Sequence, residues 1–138
     1  HLTRWDKAAT LYVKALDLCT EHDWPHWAVG ARAGLAGVAL GLGAVGDALP
    51  QVESILTYTA SLPELYRTAE PIRIYLICFR VLEAVKDPRA GDVLRTAHHL
   101  LQTWAAQFDD PDLQRSMLQD IPSHRDLLLE VEVRRRDP

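Results

Sequence analysis

Residues with specialised chemistry are scarce in this chain of 138 residues. There are two cysteines, Cys19 and Cys78, and a single methionine. Two cysteines so far apart are too few for a disulfide framework or a four-ligand zinc site. Each falls on the apolar face of a predicted helix. We therefore expect two buried thiols in a protein of the reducing cytoplasm.

Long hydrophobic runs are also missing. The uncharged stretch 33–46 covers 14 residues between Arg32 and Asp47, and the apolar run around 74–79 is closed by Arg73 and Arg80. Both are shorter than the roughly 20 residues that cross a bilayer. The sequence predicts that these stretches are core helices and that the protein does not contact a membrane.

An excess of positive charge is lacking as well. The net charge is -4 and the isoelectric point is near 5.8, so the whole chain does not attract nucleic acid or anionic lipid over long range. The basic cluster 134–136 lies near the C-terminal end, and we interpret it as a solvated helix end. The sequence predicts no direct contact with nucleic acid.

Catalytic and metal-binding motifs are absent from the sequence. It contains no phosphate loop, dinucleotide fingerprint or Gly-x-Ser-x-Gly elbow. Ser123, His124 and Asp126 are close in sequence but point apart on a helix, and capping by Ser123 explains them better. His22 and His26 have metal-ligand spacing, but Pro25 interrupts the helix that would align their side chains. We expect no metal, no cofactor and no enzymatic activity.

Eight prolines divide the chain into helices. Asp87-Pro88 and Asp110-Pro111 have the pattern of an N-cap followed by a first-turn proline. Pro50 falls in the first turn of the third predicted helix, where it removes no intrahelical hydrogen bond. The sequence predicts no strand, a turn near 63–67 and an all-α fold with helices at 3–22, 27–42, 47–60, 71–86, 88–108, 111–120 and 123–135.

A small–large–small pattern occurs three times, at positions i, i+4 and i+7. These positions lie on one face of a helix. The sets begin 40 and 42 residues apart, which is the length of a helical hairpin, so the pattern indicates stacked repeats. The sets are Ala8, Tyr12, Ala15; Ala48, Val52, Ile55; and Ala90, Leu94, Ala97.

A glycine stripe runs along the second predicted helix, at Gly30, Gly34, Gly37 and Gly41. Each glycine disfavours a helix by about 1 kcal/mol relative to alanine, so packing must hold this segment helical. The stripe provides either close helix–helix contact or a groove for another chain. If it is a yielding element that senses a partner, replacing Gly37 and Gly41 by alanine should preserve stability and weaken the response.

These features resemble the tetratricopeptide repeat. The fullest match is Ala8-Tyr12-Ala15, and Ala36 and Gly43 stand at the family's close-packing and turn positions. The longer period is similar to the helical repeats of C-terminal arms in bacterial signalling ATPases and transcription activators, in the manner of the maltose-regulon activator. Between 34 and 125 the resemblance includes LAGVALGLG, QVESILTY, EPIRIYLICFRVL, DPRAGDVLRTAHHLL and RSMLQDIPSHRDL.

The resemblance implies one domain over 1–138. This would be a right-handed αα-hairpin solenoid with half a hairpin at 3–22, hairpins at 27–60 and 71–108, and capping helices over 111–135. Because the first hairpin would lack a partner, we expect the C-terminal piece of a longer protein.

The implied function is a non-catalytic module for protein interaction or effector sensing in signal transduction or transcription regulation. Its partner would be a protein or peptide, or alternatively a small effector. Alternatively, the closing helices or a neighbouring copy of the chain fill the concave surface of the repeats, so that no other partner binds there. The family's concave positions correspond to Gly30, Ala33, Gly37, Leu40, Gly41, Ile72, Tyr75, Phe79, Leu82 and Glu83.

A structural role in oligomerisation is the alternative function. Without a partner, the helix 3–22 is expected to expose Leu11, Leu16 and Leu18. Such an apolar patch favours self-association, and this interpretation predicts a homodimer.

Overall fold

The computed structural model describes residues 4–61 and 70–136, which form seven helices and no strand. The all-α prediction is therefore confirmed for this part of the chain, whereas the predicted turn near 63–67 lies outside it. The helices are α1 (Arg4–His22), α2 (Pro25–Gly41), α3 (Val45–Ser61), α4 (Pro71–Ala84), α5 (Arg89–Ala105), α6 (Pro111–Gln119) and α7 (Pro122–Arg136).

Proline and aspartate set several of these boundaries as predicted. The Asp110 carboxylate accepts a 2.8 Å hydrogen bond from the backbone amide of Asp112 at the start of α6. Asp87 Oδ1 likewise accepts from the amide of Arg89, at 2.9 Å, but α5 begins at Arg89, so Pro88 directly precedes this helix instead of lying in its first turn. The predicted cap at Ser123 is wrong, because α7 already begins at Pro122.

The prediction for Pro50 is also wrong. Helix α3 begins at Val45, because the amides of Asp47 and Ala48 bond to the carbonyl of Ala44. Pro50 consequently lies inside the helix, in its second turn, and cannot donate to the carbonyl of Gly46. Gly46 is exposed, so water can satisfy that carbonyl.

The turn between α2 and α3 has the geometry that glycine favours. Gly43 has a φ of 77°, its amide bonds to the carbonyl of Leu40 at 3.1 Å, and the amide of Ala44 bonds to that of Ala39 at 2.8 Å. This pair of hydrogen bonds is the Schellman motif. The position predicted for a turn glycine is thus one where positive φ is required.

Helix α4 lies at the centre of the molecule. It contacts α2, α3, α5 and α7, while α2 contacts α1, α3 and α4. Helices α5 and α6 also contact α7. Because neighbours cover α4 on several sides, most of its apolar side chains are buried, as the sequence predicts for a core helix: Ile72, Ile74, Leu76, Cys78, Phe79, Val81 and Leu82.

The second and third small–large–small sets are core residues. All six of their members are buried, on α3 and α5. The first set, on α1, is only half-buried. Among the described residues, α2 is the one helix with which α1 makes extensive contacts. Within the described residues, no helix is long and apolar enough to cross a membrane.

The glycine stripe has two different environments. A Cβ on Gly34 would overlap the ring of Tyr12, and one on Gly41 would lie 2.6 Å from the ring of Trp5. At these two positions the absent side chain makes room for α1, which confirms the close-packing interpretation there. Gly30 and Gly37 are open by contrast: a Cβ would meet nothing within 4 Å at Gly30, and only Ile77 Cδ1 at 3.6 Å at Gly37.

Candidate partner-binding groove

A groove of about 490 Å³ crosses α1, α2, α4 and α7. Its apolar floor comes from α2 and α4. Gly37 leaves the α2 backbone partly accessible on that floor, whereas Gly34 is buried beneath the ring of Tyr12. The floor residues are Gly34, Gly37, Val38, Leu76 and Ile77.

Two aromatic side chains of α1 form one wall of the groove. Trp5 and Tyr12 lie seven residues apart, so they project from the same face of the helix. Their rings rest on Gly41 and Gly34. Close approach of α1 and α2 thus positions both aromatic rings at the groove.

Two arginines of α4 stand on the opposite side. Arg73 and Arg80 are also seven residues apart and line the groove, with side chains 42% and 41% exposed. Arg73 pairs with Glu70 at 3.8 Å. Arg80 lies 4.0 Å from Asp126 and 3.8 Å from Glu130.

These ion pairs are long and solvent-exposed, so each contributes little. The guanidinium groups therefore retain donors for a ligand carboxylate. An apolar floor, aromatic wall and two cations together suit a ligand with apolar and anionic groups.

The structure does not bring the ten predicted site residues together in one groove. Only Gly37 lines the groove described above. Leu40 is partly buried against the core, and Gly41 is exposed at the end of α2, with the Trp5 ring on the side where a Cβ would point. Four others are buried core residues whose side chains do not face solvent: Ala33, Ile72, Phe79 and Leu82.

The remaining three predicted residues lie on separate surfaces. Gly30 borders an apolar groove between α1 and α2. Tyr75 borders a depression between α3, α4 and α5, and burial together with the nearby Cys78 raises the pKa of its hydroxyl. Glu83 is exposed and accepts a 2.8 Å hydrogen bond from Arg134 Nη1. Neither Tyr75 nor Phe79 lines the groove across α1, α2, α4 and α7, whose aromatic wall comes from α1.

Arg73 and Arg80 were not predicted to be groove residues. The signal was present, because the two arginines interrupt an otherwise apolar helix at a spacing of two turns. The two arginines were interpreted only as the charged residues that close the apolar run of a core helix. The contribution of Trp5 and Tyr12 depends on how α1 packs, which residue spacing alone does not reveal.

The serine, histidine and aspartate of α7 do not form a catalytic relay. The buried His124 donates from Nδ1 to the carbonyl oxygen of Met117, at 3.0 Å. Ser123 and Asp126 lie instead at the rim of the groove. Among the residues that the structure describes, no three His, Cys, Asp or Glu side chains are grouped to hold a metal ion.

A second surface, the apolar groove between α1 and α2, measures about 540 Å³. Leu18, Trp24 and Trp27 line it, and Trp27 is 66% exposed. Leu11 on α1 is equally exposed, whereas Leu16 is half-buried. The predicted apolar exposure of α1 is thus confirmed for Leu11 and Leu18 and is smaller at Leu16.

Similarity to known proteins provides no independent description of either groove. No protein-family model, no curated protein and no solved structure matches this chain.

Proposed function

We propose that this chain is a non-catalytic helical-repeat module that binds a protein or peptide in the groove across α1, α2, α4 and α7. The observation that carries the proposal is the position of Arg73 and Arg80 over an apolar, glycine-lined floor. The same groove could accommodate a small effector with an anionic group. The module would belong to a cytoplasmic bacterial regulator, either a signalling ATPase or a transcription regulator.

The pattern of helix contacts supports a tetratricopeptide-like stack. Helices α2 and α4 each pack against the helix that follows them, and they also contact one another. Helix α7 contacts α4 and α5, as the first helix of a further hairpin would. Together with repeat sets 40 and 42 residues apart, these contacts support the proposed solenoid closed by α6 and α7.

The groove favours a partner segment with a carboxylate near an apolar side chain. Its volume of about 490 Å³ falls within the range of ligand pockets. A carboxylate of the partner would replace Asp126 and Glu130 beside Arg80, or Glu70 beside Arg73. Exchanging one exposed ion pair for another changes the free energy little, so affinity would come mainly from the apolar floor and specificity from the arginines.

A selection from a random peptide library tests this function. Peptides selected on the wild-type chain should carry Asp, Glu or a free C-terminal carboxylate together with an apolar residue. Their affinity should fall several-fold in the double variant Arg73→Gln/Arg80→Gln, because the ligand carboxylate would lose both cations and would lie beside Glu70, Asp126 and Glu130 without them.

A charge-matched control is Arg115→Gln/Arg125→Gln, which removes two exposed arginines outside the groove. This variant should bind the selected peptides as the wild type does. Peptides that bind the groove variant and the control equally well would refute the proposed site. Circular dichroism of both variants checks that the fold is retained.

Self-association is a second candidate function, favoured by the exposed apolar groove between α1 and α2. Contiguous exposed apolar surface of this kind is typical of interaction sites. Sedimentation over a dilution series should show a dimer that Leu18→Ser weakens. Leu129→Ser, on an equally exposed leucine of α7, should leave it unchanged. A monomer at high concentration would exclude this function.

A further inference from the structure

Two arginines from different helices converge beside Gly91 of α5. A Cβ on this buried glycine would lie 3.3 Å from Arg134 Nη2 of α7 and 3.5 Å from Arg95 Nη1 of α5. Both guanidinium groups thus lie within 3.5 Å of a single point. Like charges so close repel each other, and an anion between them would offset that repulsion.

Each arginine uses its other terminal nitrogen for a carboxylate of the chain itself. Arg134 Nη1 donates to Glu83 at 2.8 Å, and Arg95 Nη2 donates to Asp92. The two nitrogens nearest Gly91 make no hydrogen bond to residues 4–61 or 70–136. Since a guanidinium carries five N–H donors, both arginines keep donors for a ligand at this position.

The point near Gly91 opens into a depression of about 380 Å³ between α5 and α7. His98 and Arg135 also line it, with Leu94 and Val131 as apolar neighbours. Burial, then the charge of Arg135 and then His99 lower the pKa of His98. Basic groups therefore converge on this depression from two helices, although the whole chain carries a net charge of -4.

We propose that this depression binds a phosphate-type oxyanion, either free phosphate or the phosphate group of a phosphomonoester. Guanidinium groups match phosphate with parallel hydrogen bonds, and two of them provide donors from two directions. The depression is large enough for the anion and a small attached group. The site is separate from the groove across α1, α2, α4 and α7 and does not depend on the function proposed for it.

Titration with inorganic phosphate and with phenyl phosphate tests the site. Calorimetry should be done at constant ionic strength with chloride as the balancing anion, and the imidazole resonances of His98 followed by NMR. Bound phosphate should shift these resonances and raise the pKa of His98, because a nearby anion favours the imidazolium.

Three variants make the test specific. Arg95→Gln removes one cationic donor at an exposed position and should weaken binding several-fold. Gly91→Ala fills the point between the guanidinium groups and should also weaken it. Arg115→Gln, on α6, makes the same charge change elsewhere and should leave the affinity unaltered.

The outcomes separate clearly. Tighter binding of phenyl phosphate would identify a phosphorylated molecule as the ligand, and equal binding would identify free phosphate. Absence of any change at His98, wild-type affinity in both Arg95→Gln and Gly91→Ala, or an equal loss in Arg115→Gln would overturn the proposal. Arg95→Gln leaves the contacts of Arg134 with Glu83 and Phe79 in place, and Gly91→Ala requires only a small shift of the flexible Arg134 side chain.

Discussion

Glycine serves opposite purposes at neighbouring positions of α2. Gly34 and Gly41 receive the rings of Tyr12 and Trp5, so at these positions a missing side chain permits close packing. Gly30 and Gly37 have room for a methyl group, so alanine would fit there and would favour the helix more than glycine does. Replacing Gly37 and Gly41 together by alanine should therefore not act uniformly on stability. Alanine fits at Gly37, whereas at Gly41 its Cβ would meet the Trp5 ring.

The contrast between Gly30 and Gly34 provides the first prediction. Gly30→Ala should stabilise the protein by up to about 1 kcal/mol, because alanine is the better helix former and its Cβ meets nothing. Gly34→Ala should destabilise it by about 1–3 kcal/mol, since the Tyr12 ring must move. Urea unfolding of both variants measures the two changes, and equal effects would contradict the packing described for α1.

Arg89 forms ion pairs with two carboxylates, those of Glu53 and Asp87. Its guanidinium donates to both carboxylate oxygens of Glu53, at 2.5 and 3.1 Å, and to Asp87 at 2.8 Å. These bonds join α3 to the start of α5. They lower the pKa of Glu53, and the Arg89 side chain lowers that of Asp87 to about 2.

The second prediction concerns the pH dependence of this cluster. A carboxylate with a lowered pKa contributes stability above its unfolded value and loses it as the pH falls through its folded value. Arg89→Gln should therefore melt at a lower temperature than the wild type at pH 7. The difference should shrink as the pH falls from about 4.5, the ordinary pKa of Glu53, towards about 2, the folded-state pKa of Asp87. Thermal melts of this variant and of Arg115→Gln check it, and a difference independent of pH would contradict the assignment.

The C-terminal ends of α2 and α4 have the same backbone motif, with glycine at the position of positive φ in one and lysine in the other. Both α2 and α4 end in a Schellman motif. After α2 the residue with positive φ is Gly43, at 77°, and after α4 it is Lys86, at 57°. The amides of Lys86 and Asp87 bond to the carbonyls of Glu83 and Leu82 at 3.1 and 2.9 Å.

The third prediction follows from this difference. A non-glycine residue in the left-handed region costs about 1–2 kcal/mol, so Lys86→Gly should raise the free energy of unfolding by about 1 kcal/mol. Gly43→Ala should lower it by a similar amount, because its Cβ would meet no neighbour and only the backbone strain would change. Chemical denaturation measures both variants, and a loss of stability in Lys86→Gly would contradict the motif.

The whole molecule is organised around α4, so stability should differ between its centre and its α1 edge. Cys78 on α4 is covered by several helices, whereas Cys19 lies on α1, which packs mainly against α2. Burial raises the pKa of the Cys78 thiol to about 12, which keeps it protonated near neutral pH. Local opening of α1 requires fewer contacts to break than exposure of α4.

The fourth prediction uses these two thiols as probes of opening. Iodoacetamide at pH 8 should label Cys19 faster than Cys78 in the native protein, because the thiolate reacts and must first be exposed. The labelling rate of Cys78 should track global unfolding in urea. The variants Cys19→Ser and Cys78→Ser assign each rate in mass spectra. Equal rates throughout the native range would mean that α1 and α4 open together.

Much of the fold can be predicted from local patterns. Prolines, aspartate caps and the i, i+4, i+7 sets give helix positions that agree with the structure to within a few residues, because each signal acts within one or two turns. The burial of the second and third repeat sets follows from the same periodicity. Pro50 is an exception. Helix α3 begins at Val45, two residues before the predicted start, because the Ala44 carbonyl accepts the first hydrogen bonds of the helix.

The candidate sites depend on contacts between residues far apart in the sequence. Spacing places Arg73 and Arg80 on one face of α4, but only the packing of α1, α2 and α7 makes that face a groove. Likewise, Arg95 and Arg134 meet beside Gly91 because α7 packs against α5. The sequence by itself determined the helices and their apolar faces through local periodicity. Tertiary structure decided which faces remain open, because that depends on how neighbouring helices fill the space around each one.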